Sequence, residues 1–182
     1  AVGQSWLMHA YEHRFQQYHL LTAMMLLTQE DFTHRGRYIH ISNTLRTLLR
    51  LNVVPIINEN DTVAVEEIKV GDNDTLAAYV TNLAEADLLI ILSDQDGFYT
   101  ADPRKDPTAK FISLVPNITE GMKRSAGSTA SETGTGGMST KLRAAEIVTV
   151  SGEMMVLANG SEPQAISRIL AGEAIGTLFL PQ

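Results

Sequence analysis

Short apolar strand patterns alternate with helix patterns along most of this 182-residue chain. Residues 53–57 and 88–92 are apolar runs of strand length, whereas residues 74–86 and 138–150 repeat apolar side chains at helical spacing. The alternation continues to the end of the chain, with a strand, a helix and a strand predicted at 154–158, 163–171 and 177–180. Such alternation predicts an α/β fold, a three-layer αβα sandwich in which helices cover both faces of a mainly parallel central sheet.

Two polar segments directly follow strands of this predicted sheet. The run at 88–92 is uninterrupted, which predicts a strand buried on both faces of a parallel sheet. Ligands in such folds bind beyond the carboxyl ends of the strands, so residues 58–61 and 93–97 are candidate binding loops. Asn and Asp at these positions would also suit ordinary turns. As binding loops, the first segment would suit the ammonium group of an amino acid and the second a nucleotide base or ribose.

A glycine-rich loop precedes the helix pattern at 138–150. The loop contains Gly134, Gly136 and Gly137, whose backbone N–H groups are not shielded by side chains. Lys141 falls in the first turn of the predicted helix. A glycine loop, a helix N-terminus and a lysine together form an anion site, most often for phosphate. Lys141 comes four residues after Gly137, so the segment is not a Walker A sequence. A flexible connector that ends in a helix cap would also explain the glycines.

A third polar segment, Asp72-Asn73-Asp74, stands where the helix pattern at 74–86 begins. Asp and Asn are preferred helix caps, and acidic side chains suit the positive end of the helix dipole. Three such residues are more than one cap needs. A spare carboxylate beside a phosphate site could orient a lysine or hold Mg²⁺, so capping and function both stay open on the residues alone.

Composition excludes several classes of protein. The net charge of −7 argues against a nucleic-acid partner, because binding to phosphate backbones needs a basic face. The chain has no cysteine, which excludes a disulfide scaffold, a thiolate zinc site and a cysteine nucleophile. No apolar run approaches the roughly 20 residues that span a bilayer. We therefore expect a cytoplasmic protein without a membrane partner.

The segment from His9 to His13 matches the inverted zincin pattern H-x-x-E-H on a predicted helix. Two histidines at positions i and i+4, here with Glu12 between them, can share a metal ion. No later segment offers an obvious third ligand beside a binding loop, and short motifs often match by chance. We therefore predict no resident metal site and interpret these residues as the solvated face of the helix.

Longer blocks of sequence go beyond these generic patterns. Residues 53–61, 68–74, 93–104 and 134–141 closely resemble the corresponding blocks of the glutamate 5-kinases, a branch of the amino-acid kinase family. The blocks occur in family order and spacing, and the similarity extends from residue 2 to residue 179. The resemblance implies transfer of a phosphoryl group from ATP, with Mg²⁺, to the side-chain carboxylate of L-glutamate. It also implies the first step of proline biosynthesis, proline as a feedback inhibitor and a homo-oligomer.

The resemblance also implies roles for individual residues. Asp61 and Asn73 would bind glutamate, and Asp74 would orient the catalytic lysines. Lys141 would neutralise charge on the transferring phosphoryl group. The ATP-binding residues would be Ser93, Asp94, Thr135, Gly136, Gly137, Met138, Ser139, Thr140 and Lys141.

The chain departs from the family pattern at both ends. The family's first strand, with a lysine and a glycine-rich phosphate loop, would precede Ala1, and a C-terminal RNA-binding-like domain present in many members is also missing. We therefore expect residues 1–182 to form an amino-acid kinase domain truncated at its N-terminus, inactive or weakly active alone. The alternatives are a non-catalytic chain that binds nucleotide or a partner subunit, and a sister kinase acting on acetylglutamate or UMP.

Overall fold

A computed structural model describes residues 2–60, 72–127 and 137–182, and the chain divides into two compact units, Ala1–Leu76 and Ala77–Gln182. The helices are α1 (Val2–Gln16), α2 (Gln29–Thr33), α3 (Arg35–Arg50), α4 (Asn73–Ala84), α5 (Glu120–Gly127), α6 (Met138–Val150) and α7 (Ala165–Leu170). The strands are β1 (Leu21–Leu27), β2 (Val53–Glu59), β3 (Leu88–Ser93), β4 (Phe98–Tyr99), β5 (Phe111–Ile112), β6 (Leu114–Val115), β7 (Met154–Asn159) and β8 (Thr177–Phe179). Within the described ranges, no helix has both the length and the apolar character needed to cross a membrane.

The first unit is built around β1 and β2, which pair in parallel from Leu21 opposite Val53 to Leu27 opposite Glu59. Parallel strands need a crossover connection, and α2 and α3 supply it here. The side chain of Leu45 on α3 is fully buried, as expected for the apolar face of a helix that covers a sheet. Both strands therefore end at the same edge. β2 runs two residues further than the predicted strand, so Asn58 and Glu59 of the predicted polar loop are its last two residues.

The second unit contains a four-stranded mixed sheet in the order β3-β7-β8-β6. β3 and β7 are parallel, β7 and β8 are antiparallel, and β8 and β6 are parallel. The core lies between this sheet and α6, and its fully buried members include Val148, Met155, Leu157 and Phe179. The α/β fold class predicted from the sequence is confirmed.

Two features of the second unit differ from the sequence prediction. The prediction that residues 88–92 are buried on both faces is wrong, since Leu92 is 44% exposed. β3 pairs with β7 at one edge and is the end strand of its sheet in the described part of the chain. The long loop predicted after β3 contains β4, which pairs with β5 in a short antiparallel ribbon.

The β4–β5 ribbon is fastened to the main sheet by one buried side chain. The backbone N–H of Phe98 donates to Oγ1 of Thr177 (2.7 Å), and that hydroxyl donates to the carbonyl oxygen of Ile112 (2.5 Å). Gly97 sits directly against this hydroxyl, because a Cβ at Gly97 would lie 2.6 Å from Oγ1 of Thr177. Thr177 on β8 therefore fixes where the chain leaves the loop after β3.

Candidate active site

The carboxyl ends of β3 and β7 lie side by side, with Ser93 opposite Asn159 in the register. The N–H of Gly160 donates to the carbonyl oxygen of Ser93 (2.8 Å), so the two chains stay in contact beyond the last strand pair. The hydroxyl of Ser93 donates to Oδ1 of Asp94 (3.1 Å), and Asp94 itself is exposed. Two of the residues predicted to bind ATP therefore lie at this edge of the sheet.

The N-terminus of α6 reaches the same edge. α6 has 13 residues and precedes β7, which has six, so the helix and the strand are each about 20 Å long and run in opposite directions where they pack. Gly137 is the N-cap, and its carbonyl oxygen accepts the hydroxyl of Thr140 (2.7 Å). Lys141, in the first turn, is only 9% exposed.

A small cavity of about 20 Å³ shows that the two segments meet. Met138 of α6 lines it together with Gln95 of the loop after β3 and Tyr99 of β4. A cavity of this size has room for about one water molecule. The two ATP-binding segments predicted from separate motifs are thus adjacent, although Thr135 and Gly136 lie outside the described residues.

A buried carboxylate fixes the turn that follows β4. Oδ1 of Asp102 accepts the backbone N–H (3.0 Å) and the Nε–H (3.1 Å) of Arg104, and Oδ2 accepts from the Nη2 of the same guanidinium (3.3 Å). The pKa of the Asp102 carboxyl is held below its ordinary range, and the hydrogen bonds from the Arg104 side chain are the main cause. Asp94 lies close enough to add to the positive shift of the Arg104 pKa. Arg104 therefore connects the turn electrostatically to Asp94, one of the residues predicted to bind ATP.

The Asp102–Arg104 pair predicts a specific dependence of stability on pH. The pKa of Asp102 is lower in the folded protein than in the unfolded chain, so the ionised carboxylate stabilises the fold above the unfolded-state pKa of about 3.9. This stabilisation is lost as pH falls through the folded-state pKa. Arg104→Met should therefore lower the unfolding temperature at pH 6, and the difference from the parent should shrink below about pH 4.

The measurement is the thermal midpoint followed by circular dichroism from pH 7 to pH 2.5. Lys105→Met is the matched control, because Lys105 acts on the same carboxyl through charge alone and more weakly. A loss in Arg104→Met of the same size at every pH would contradict the role assigned to the ion pair.

The residues predicted to bind glutamate belong to the first unit. Asp72 is the N-terminal cap of α4, since its carboxylate accepts the N–H (2.7 Å) and the hydroxyl (2.9 Å) of Thr75. Asn73 and Asp74 occupy the first turn of α4, where Asn73 is exposed and Asp74 is half-buried. The capping function therefore belongs to Asp72 and does not require the other two. Asp61 lies outside the described residues.

The histidine pattern near the start of the chain lies on an exposed surface. His9, Glu12 and His13 are all exposed on α1. Over the residues that the structure describes, no group of three or more His, Asp or Glu side chains is arranged to hold a metal ion.

Sequence reasoning missed one side chain at the site. Asn159 ends β7 opposite Ser93, and its amide reaches the loop after β3. Its position in the sequence could have indicated a role at the site, because Asn159 directly follows a predicted strand and precedes Gly160.

The chain matches a known protein family and several named relatives. Residues 1–159 match the model of the amino acid kinase family. A glutamate 5-kinase from Geobacter sulfurreducens is 54% identical over 181 residues, a match that covers 100% of this chain and 48% of that protein. A glutamate 5-kinase from Nitrosococcus oceani is 55% identical over 182 residues, again with 100% of this chain and 48% of the relative covered. The chain thus spans about half the length of the curated relatives it matches.

The fold is also similar to that of solved structures. UMP kinase from Ureaplasma parvum superposes with a TM-score of 0.60 at 17% identity, covering 94% of this chain and 65% of that one. At this low identity the likeness supports the fold and says nothing about the substrate.

Proposed function

Because this chain belongs to the amino acid kinase family, we propose that the protein is a glutamate 5-kinase. It would transfer a phosphoryl group from ATP to the side-chain carboxylate of L-glutamate and give L-glutamyl 5-phosphate and ADP, the first step of proline biosynthesis. The observation that carries this proposal is the 54% identity to a relative of that name, which holds along the whole of this chain.

The nucleotide side of the proposed site is the edge formed by β3, β7 and the start of α6. Ser93 and Asp94 would contact ATP from the end of β3, and the segment from Thr135 to Lys141 would contact its phosphates. Met138 supports this assignment, since it lines one cavity with Gln95 of the loop after β3. Backbone N–H groups at the first turn of α6 provide the positive end of a helix dipole for phosphate oxygens.

The residues proposed to bind the acceptor belong to the first unit. Asp61 and Asn73 would bind glutamate, and Asp74 would orient the catalytic lysines. Asp72 supplies the cap of α4, so helix capping does not account for the Asn and Asp that follow it.

The proposed reaction needs positioning more than acid–base chemistry. A glutamate side chain has a pKa of about 4.3, so the acceptor is already ionised at pH 7 and needs no general base. Two anions must approach each other, and a lysine and backbone N–H groups lower the energy of that approach. Lys141 would stabilise the charge on the transferring phosphoryl group.

Mg²⁺ suits the donor groups at this edge. Mg²⁺ in kinases is bound through one or two carboxylates together with substrate phosphates, and Asp94 is an exposed carboxylate beside the start of the proposed phosphate site. When bound, the ion would neutralise phosphate charge. We further propose feedback inhibition by proline and assembly into a homo-oligomer, both of which the resemblance to the glutamate 5-kinases implies.

The test is an assay of the natural full-length protein with ATP and each of L-glutamate, N-acetylglutamate and UMP. We expect ADP release with glutamate, and hydroxylamine should trap the acyl phosphate product as a hydroxamate. Release of ADP with UMP and none with glutamate would refute the proposal. We further expect the 182-residue chain alone to turn over weakly or not at all, since it spans about half the length of the relatives it matches, and robust turnover by it would contradict this expectation.

A further inference from the structure

The side-chain amide of Asn159 bridges two loops at the nucleotide edge. Its Nδ2 donates to Oδ1 of Asp96, in the loop after β3, at 2.8 Å. Its Oδ1 accepts the N–H of Ser161, in the loop after β7, at 2.9 Å. Both polar groups of the amide therefore form hydrogen bonds. The bond to Asp96 joins two residues that are 63 positions apart in the sequence.

The carboxylate of Asp96 is held from a second side as well. It forms a hydrogen bond with the phenol of Tyr99, and burial, followed by the charge of Asp96, raises the pKa of that phenol. The ring of Tyr99 packs edge-on against Phe111, with ring centroids 5.4 Å apart. Asp96 therefore lies between the amide of Asn159 and a phenol that the β4–β5 ribbon positions.

Asp94 lies between two fixed points of the same loop. On its N-terminal side, the carbonyl of Ser93 accepts the N–H of Gly160. On its C-terminal side, Asp96 is bound by Asn159. The loop is short, so the position of Asp94 depends on both anchors.

We propose that Asn159 is a positioning residue for the nucleotide, which acts by fixing the loop after β3 through Asp96 so that Ser93 and Asp94 face the nucleotide. This inference rests on the proposed function for its ligand. It adds a residue that would not itself touch ATP.

Asn159→Asp should disturb the loop most specifically. The change keeps the size of the side chain but sets two carboxylates against each other where an amide donated at 2.8 Å. Since repulsion replaces a hydrogen bond to a charged group, we expect affinity for ATP to fall at least tenfold. The KM for glutamate and kcat should stay within about twofold of the parent values.

The double variant Asn159→Asp with Asp96→Asn should recover the affinity. The new amide at position 96 can donate to the new carboxylate at position 159, while both positions keep an oxygen for Ser161 and Tyr99. A merely structural role for Asn159 would lower stability without this reciprocal recovery. Asn82→Ala is the control, because the Asn82 amide donates to Ser151 at the opposite end of α6 (2.8 Å) and should leave affinity unchanged.

Binding of the non-hydrolysable analogue AMP-PNP to the full-length protein, measured by calorimetry, decides between the outcomes. Asn159→Asp that binds like the parent, or a double variant without recovery, would overturn the role of Asn159. If Asn159→Asp does not fold, Asn159→Ser replaces it and should weaken binding as well, because the shorter side chain cannot reach Asp96. A parent that binds AMP-PNP but does not phosphorylate glutamate would refute the proposed function alone, and a parent that binds no nucleotide would overturn both.

Discussion

Lys141→Met is expected to lower kcat for glutamate phosphorylation by about 10²–10³-fold, the usual effect of removing one group that stabilises transition-state charge. Lys141 stands in the first turn of α6 and is 9% exposed, so its charge acts in surroundings that screen it less than bulk water does. The affinity for ATP should change less than kcat, because the cation is needed most as the phosphoryl group transfers. Methionine keeps the apolar stem of the side chain, so the unfolding temperature should change little.

Arg143→Met on the same helix is the matched control. Arg143 is two positions further along α6 and is exposed, so the variant removes one positive charge without removing one from the proposed site. We expect kcat within about twofold of the parent, since exposed charges contribute little. Steady-state kinetics with ATP and glutamate would compare the two variants. Equal losses in both would show that Lys141 acts only through net charge.

The long, regular elements could be predicted from the sequence. The helix predicted at 138–150 is α6 with the same bounds, and the strand predicted at 154–158 is β7 with one residue added. Both carry a periodic apolar pattern that a local window contains in full. The burial of β3 could not be predicted in the same way, because it depends on how many strands pair with it.

The short elements depend on contacts between distant parts of the chain. β4 and β5 have two residues each, too few for a period, and the ribbon is fastened by Thr177, 79 residues beyond Phe98. The same reason hides Asn159, whose partner Asp96 comes from another strand end. The family resemblance implied that the loop after β3 and the start of α6 share a function, but it did not supply the side chain that connects β7 to that loop.

Gly176→Ala is expected to destabilise the second unit through both backbone strain and steric overlap. Gly176 has φ of +74°, a conformation that costs an L-residue about 1–2 kcal/mol. A Cβ there would also lie 2.2 Å from the carbonyl oxygen of Leu157 and 2.9 Å from Cβ of Ala158. Since Leu157 pairs with Thr177 across β7 and β8, relief of the overlap must separate these strands. Such overpacking costs about 1–3 kcal/mol more.

Gly172→Ala separates the two contributions. Gly172 also has positive φ (+84°), but a Cβ there would meet nothing within 4 Å. We therefore expect a loss of only about 1–2 kcal/mol, from backbone strain alone. Urea unfolding of both variants would give the free energies, and their difference measures the steric overlap at the β7–β8 pair. Because Thr177 follows Gly176 directly and fastens the β4–β5 ribbon, Gly176→Ala should also weaken AMP-PNP binding, whereas Gly172→Ala should not. Equal losses of stability in the two variants would mean that the strands accommodate the methyl group without moving apart.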